Sequence, residues 1–315
     1  MKKCYKTLFI LVVISIITTS LWAQQLPVLS HYLTNRYLLS PAFAGTEEEQ
    51  ESIIFIGYRR EWADIATGPK TSYINGYMPV SDKVWLGAQI ISDQSDIFRN
   101  THIQFSYIYH LQINQDQFID FSIWGTLMQN SINLGGINVI EVNDPLILNK
   151  TQLSGTALNA GAALNFRSKN FNIGFNIPYL FLNKDSYSVS SSNNLYELNR
   201  VATAYISHSF RLNYDLDLEP ILLYRYSQDF VSGLEYSALL KYRKAYWVGL
   251  TYKDIGKTSV TIGAEFASNF IINYSYEFAT GAAISYPGPT HEISFGFKLG
   301  LLNQKNNWQR YLQGN

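Results

Sequence analysis

"NFIINYSYEF", residues Asn269 to Phe278, decides the fold. Phe270, Ile272, Tyr274, Tyr276 and Phe278 take every second position, and Ile271, Asn273, Ser275 and Glu277 fill the positions between them. A period of two puts the first set on one face of an extended strand and the second set on the other. A helix would spread the same residues around its axis. "HEISFGFKLGL" (His291–Leu301) repeats the pattern, with Ile293, Phe295, Phe297, Leu299 and Leu301 opposed to Glu292, Ser294, Gly296, Lys298 and Gly300. So does "FNIGFNI" (Phe171–Ile177). "THIQFSYIYHL" (Thr101–Leu111) alternates as well, with Ile108 as one apolar exception on its polar face.

Working outward from these runs, about fourteen candidate strands begin near Ser52, Ser72, Val84, Thr101, Ile119, Ala157, Phe171, Arg200, Leu216, Ser232, Ala245, Val260, Phe270 and His291. An even number suits an all-β, antiparallel up-and-down transmembrane barrel of the outer-membrane type, which alternates tight inner turns with longer outer loops. The expected inner turns are "VSDK", "QINQDQ", "RSKN", "RLNYD", "RKA" and "ASN". The expected outer loops include "REWADIATGPK", "SDQSDIFRN", Gln129–Thr156, Pro178–Asn199 and "ATGAAISYPGPT". Pro220 cannot donate a ladder hydrogen bond, which marks a bulge or a wrong register in its strand.

A soluble sandwich alternates too, so the faces themselves must separate the two readings. Only 15% of residues are charged, against about 25% in ordinary soluble domains. Asp120, Asp217, Glu219, Arg225, Glu235, Lys241, Glu265, Glu277, Glu292 and Lys298 all sit on the polar register. The opposite register is left free for lipid, where a mid-depth Lys or Arg costs about 2 to 4 kcal/mol. The polar face is rich in Gly, Ser, Asn and Thr. Tyr224, Tyr226, Tyr242, Tyr246, Tyr252 and Tyr276 lie near strand ends, where an interfacial girdle places amphipathic rings. These features favour the barrel.

Residues 1–23 read as a secretory signal peptide: Lys2, Lys3 and Lys6, then the apolar "TLFILVVISIITT", then Ala23 as the small residue before the cut. Its removal takes away Cys4 and leaves 21 basic against 24 acidic residues. No cysteine remains for zinc or disulfides, and no basic excess remains for nucleic acid. The rest divides into an N-terminal plug or periplasmic segment (24–50), the barrel (51–301) and a C-terminal tail (302–315).

"LPVLSHYLTNRYLLSPAFAG" (Leu26–Gly45), "YRREW" (Tyr58–Trp62), "GPKTSYINGYMPV" (Gly68–Val80), "KVWLGAQIISD" (Lys83–Asp93) and "THEISFGFKL" (Thr290–Leu299) together carry a resemblance across nearly the whole mature chain. In order and spacing they resemble the PorP/SprF family of type IX secretion system membrane proteins of the Bacteroidota. The family pattern falls on Ser30, Tyr32, Asn35, Pro41, Ala42, Phe43, Ala44 and Gly45, then on Tyr58, Arg59 and Trp62, then on Pro69, Lys70 and Thr71. The resemblance implies a non-enzymatic outer-membrane barrel, integral and with a periplasmic N-terminus. Its partners would be the secretion machinery and a large secreted adhesin, whose C-terminal sorting domain it helps to export and retain at the surface. It implies no catalytic residue, cofactor or metal.

Pro41 fixes its own dihedral and Gly45 permits a positive one, so the opening segment ends in a made turn. The segment is expected at or inside the periplasmic mouth, anchored by Tyr32, Tyr37 and Phe43. It either closes the barrel end or docks a partner. Arg59, Arg60, Glu61, Trp62 and Asp64 form a charged rim or a partner site. A pore for small solutes is the alternative function. A hydrolase would need more than the residue types of Ser207, His208 and Ser209, because a triad is defined by geometry.

Overall fold

The computed structural model describes residues 27–46, 51–133, 152–181, 188–189, 193–194, 200–228, 232–267, 269–280 and 288–300. The expected leader, the tail and most of the loop within Gln129–Thr156 lie outside them. The wall consists of β1 (Ser52–Arg60), β2 (Lys70–Pro79), β3 (Val84–Ser95), β4 (Phe98–Gln112), β5 (Gln117–Asn133), β6 (Gln152–Ser168) and β7 (Phe171–Ile177). It continues with β8 (Val201–His208, resuming at Phe210–Arg211), β9 (Leu216–Ser227), β10 (Gly233–Tyr242), β11 (Tyr246–Lys253), β12 (Lys257–Phe266), β13 (Phe270–Ala279) and β14 (Thr290–Leu299). Each strand pairs antiparallel with its sequence neighbours, and β1 pairs with β14 from Ser52↔Leu299 to Arg60↔His291. The result is a closed barrel of 14 strands with no free edge.

Burial is inverted relative to a soluble protein. Ile56, Phe105, Ile123, Leu158 and Phe295 point outward and are exposed, while Asp120, Glu219, Glu235, Glu277 and Glu292 point inward and are buried. The exposed apolar side chains form a band that only hydrocarbon would cover. Tyr242 and Tyr246 flank one short turn, and Tyr224, Tyr226, Tyr252 and Tyr276 sit near the opposite strand ends; all six are exposed on the outer face.

The six turns expected on the inner side occur where alternation ends, and all lie at the end of the barrel where β1 begins. Two of the loop expectations change. "SDQSDIFRN" is mostly strand, because the β3–β4 ladder runs on to Ser95↔Phe98 and leaves Asp96 and Ile97 as the turn, with Asp96 at φ 52. Likewise the ends of Gln129–Thr156 are strand, paired as far as Asn133↔Gln152. Polar residues on both faces hid these extensions, since beyond the bilayer neither face needs to be apolar. Pro220 produces neither a bulge nor a shifted register. The β8–β9 ladder stops after Ser207↔Ile221 and resumes at Phe210↔Leu218 in the same register. The missing N–H interrupts the pairing locally and moves nothing.

The opening segment folds as three single 3-10 turns, His31–Leu33, Arg36–Leu38 and Pro41–Phe43. Ser40 starts the third, its hydroxyl accepting from the Ala42 amide, and Pro41 takes the first helical position where no donor is needed. The segment contacts inward-facing residues of β1, β2, β4, β7, β8, β9, β10 and β14, on all sides of the barrel. A chain that touches every side of a closed cylinder lies in its lumen. Gly45 rests at Trp85, the second residue of β3 and so at the short-turn end; Ser30 rests at Arg59, one residue from the far end of β1. The segment therefore does not stop at the mouth where β1 begins, but climbs to the opposite end.

Candidate functional site

The lumen and the segment inside it form the candidate site. At the far end of β1, alternation turns Arg59 inward, where it is buried among carboxylates. Its guanidinium donates to Glu277 at 2.9 Å, to Glu292 at 3.2 Å, to Glu61 at 3.1 Å and to the Ser30 hydroxyl at 3.1 Å. Lys253 donates to the second oxygen of Glu277 at 2.6 Å. Glu292 also accepts the Ser30 amide at 2.7 Å and the His31 amide at 3.3 Å. One buried carboxylate thus ties the first 3-10 turn to β14 and, through Arg59, to β1. An isolated charge at this depth would be costly, and the Arg59 and amide partners offset that cost.

Below this latch the contacts become mixed. The Tyr32 hydroxyl bonds Ser237 at 2.9 Å, and Asn35 donates to Asn75 at 3.1 Å. Arg36 pairs with Glu219, and Tyr37 bonds Ser106 at 2.6 Å. Phe43 packs on the Tyr205 ring at 4.9 Å, with the Arg36 guanidinium on its other contact at 5.3 Å. Tyr32, Leu33, Leu39 and Phe43 join Ile53, Phe55, Ile221, Leu223, Leu239, Trp247 and Ile271 in one apolar cluster inside the barrel.

Gly45 is held at φ 70, and a Cβ there would stand 2.2 Å from the Trp85 ring. Both the left-handed backbone and the close approach require glycine. Gly45→Val is expected to cost about 2 kcal/mol or more by combining strain with overpacking, read as a lower urea midpoint of the reconstituted protein. An unchanged midpoint would mean that the segment end is not seated on Trp85.

Of the sequence candidates, Ser30, Tyr32, Asn35, Pro41, Phe43, Gly45 and Arg59 come together in the lumen. Tyr58 faces outward next to Arg59, as alternation requires, and Lys70 opens β2 on the outer face. Trp62 is the second residue of the loop after β1, at φ 50, and Pro69 closes that loop by accepting the Glu61 amide at 2.8 Å. The partners missed as site residues are Glu292, Glu277, Lys253 and Glu219, together with the inward apolar group Trp85, Leu223 and Leu239. One signal pointed to the latter. Ile108, the exception in its strand, is fully buried in the lumen beside Tyr37, Ala44 and Trp85.

Ser207 faces the lumen, while His208 lies on the other face against Phe210 at 4.4 Å. Neighbours on opposite sides of a strand cannot act as nucleophile and base together.

Among solved structures, similar folds include the CymD monoaromatic hydrocarbon channel, at 12% identity and TM-score 0.54, covering 87% of this chain and 94% of that one. The Ralstonia pickettii toluene transporter TbuX matches at 11% identity and TM-score 0.52, covering 83% and 92%. At such identities the likeness shows the barrel fold alone. No curated protein matches the sequence. The family model described as type IX secretion system membrane protein PorP/SprF matches residues 21–297. That span takes in both the wall and the segment that fills it, and so the chain belongs to the PorP/SprF family of type IX secretion system membrane proteins.

Proposed function

We propose that this protein is a non-enzymatic outer-membrane component of the type IX secretion system that partners export and surface retention of a secreted adhesin through its C-terminal sorting domain. The short-turn end, where β1 begins, faces the periplasm and the long loops face outward, as in other barrels of this type. The observation that carries the reading is a lumen occupied by the protein's own segment in a chain of this family. A passive solute pore needs an open path, whereas a partner-binding barrel needs a rigid, sealed wall with loops and mouths to present. In this reading residues 24–50 are the plug, and its seal keeps the membrane tight during export.

The test is loss of the protein in its own cells, followed by immunofluorescence of the adhesin on intact cells and detection of the adhesin in the medium. Surface signal is expected to fall at least about tenfold while the adhesin accumulates elsewhere, and cross-linking in wild-type cells is expected to recover the sorting domain. Unchanged surface adhesin would remove the proposal. Steady ion conductance by the intact purified barrel would favour a pore for small solutes, the reading that the hydrocarbon-channel folds suggest.

A further inference from the structure

The outer face of β1 to β4 is stratified. At the long-loop end the registers Arg60↔Lys70, Lys70↔Gln94 and Gln94↔Arg99 align three cations and an amide in one row across four adjacent strands. With strands about 4.8 Å apart, the row is about 15 Å wide. The next row toward the bilayer is Tyr58, Ser72, Ser92 and Thr101, all hydroxyl-bearing, with Ser92 and Thr101 bonded at 3.3 Å. The third row is Ile56, Ile74, Ile90 and Ile103. The small Ser72 and Ser92 leave a groove of about 520 Å³ between Ile56, Ile74, Ile90 and Phe295.

No acid of the described residues neutralises these cations. Among the described residues none of Arg60, Lys70 and Arg99 enters an ion pair. Arg60 reaches only the Ala63 carbonyl at 3.4 Å and leaves its buried Nε unpartnered, and Arg99 donates to Gln94 at 2.9 Å. The acids of this level are turned inward and engaged, Glu61 with Arg59 and Asp93 with Thr71. Strands β10 to β13 lack this layering: the outward row at their long-loop ends, Tyr236, Tyr252, Thr258 and Phe278, carries no charge, while Lys253 and Lys257 point into the lumen.

We infer that this face binds a phosphate-bearing lipid of the outer leaflet, its phosphate on Arg60, Lys70 and Arg99, its ester region on the hydroxyl row and an acyl chain in the groove. Charge complementarity selects an anionic headgroup, because the guanidinium fork matches phosphate oxygens. The order of the rows, charge above hydroxyl above hydrocarbon, is the order of the lipid itself. The inference is independent of the secretion role; it rests on the barrel's place in a bilayer and, for the choice of leaflet, on the orientation proposed above.

Native mass spectrometry of the detergent-solubilised full-length protein provides the test, with dioleoyl phosphatidic acid against dioleoyl phosphatidylcholine. The acidic lipid is expected to bind about tenfold or more tightly than its zwitterionic partner, since each basic residue near an anionic surface contributes measurably. The Arg60→Gln/Lys70→Gln/Arg99→Gln variant should lose that preference, whereas Lys83→Gln/Lys169→Gln at the short-turn end should keep it. Ser72→Leu/Ser92→Leu, which fills the groove, should weaken both lipids. Equal retention of phosphatidic acid by the triple variant, or its displacement by inorganic phosphate, would overturn the inference. All substituted side chains face outward or lie in turns, so heat-modifiable gel mobility should confirm that each variant is folded.

Discussion

Deleting residues 27–45 is expected to turn a silent barrel into a conducting one. Side chains alone fill a barrel of about eight strands, and wider ones enclose a cavity or channel unless something else enters. Here 14 strands surround a space that Tyr32, Leu33, Tyr37 and Phe43 occupy, each almost fully buried. Burying each of these side chains stabilises the closed form by about 1.5 to 3 kcal/mol, so spontaneous withdrawal is rare. Planar-bilayer recordings should show discrete conductance steps for the deletion and almost none for the intact protein. If both are equally silent, the loops or the wall seal the pore and the segment has another role. The same variant separates sealing from docking in cells, because normal adhesin display by a leaky barrel would leave the segment as a plug only.

Arg59→Ala should be the most damaging single substitution. It leaves Glu277 and Glu292 inside the lumen with the cation they share gone, and breaking a buried pair by removing one partner costs about 3 to 5 kcal/mol. Lys253 at 2.6 Å still holds Glu277, but Glu292 keeps only amide, hydroxyl and imidazole partners. Urea unfolding in phospholipid vesicles should show the loss directly. Arg59→Lys should recover only part of it, because an ammonium cannot span Glu61, Glu277 and Glu292 as the guanidinium fork does. Arg211→Ala is the matched control. Its pair with Asp217 at 3.4 Å is mostly exposed, and such pairs contribute about 0 to 1 kcal/mol. Equal effects at Arg59 and Arg211 would mean that the latch is not a buried network.

The wall was legible because alternation is a property of each strand taken alone. "NFIINYSYEF" states which of its faces meets lipid without reference to any other residue, and "HEISFGFKLGL" does the same. Pro220 shows where local reading overreached, for a missing donor was absorbed by a gap in the β8–β9 ladder with no change of register.

The number of strands, their faces, the short turns and the inward direction of the charges were determined by the sequence by itself. What filled the cylinder was decided only by the tertiary structure. Ser30 meets Glu292 across 262 positions, and Arg59 meets Glu292 across 233. No local period encodes such meetings, because they arise only when β1 closes on β14 and brings both ends of the chain around one lumen. That closure also explains why Ile108, Leu223 and Leu239 break the polar pattern of the inner face: they cover the apolar side chains of a segment that enters beside them.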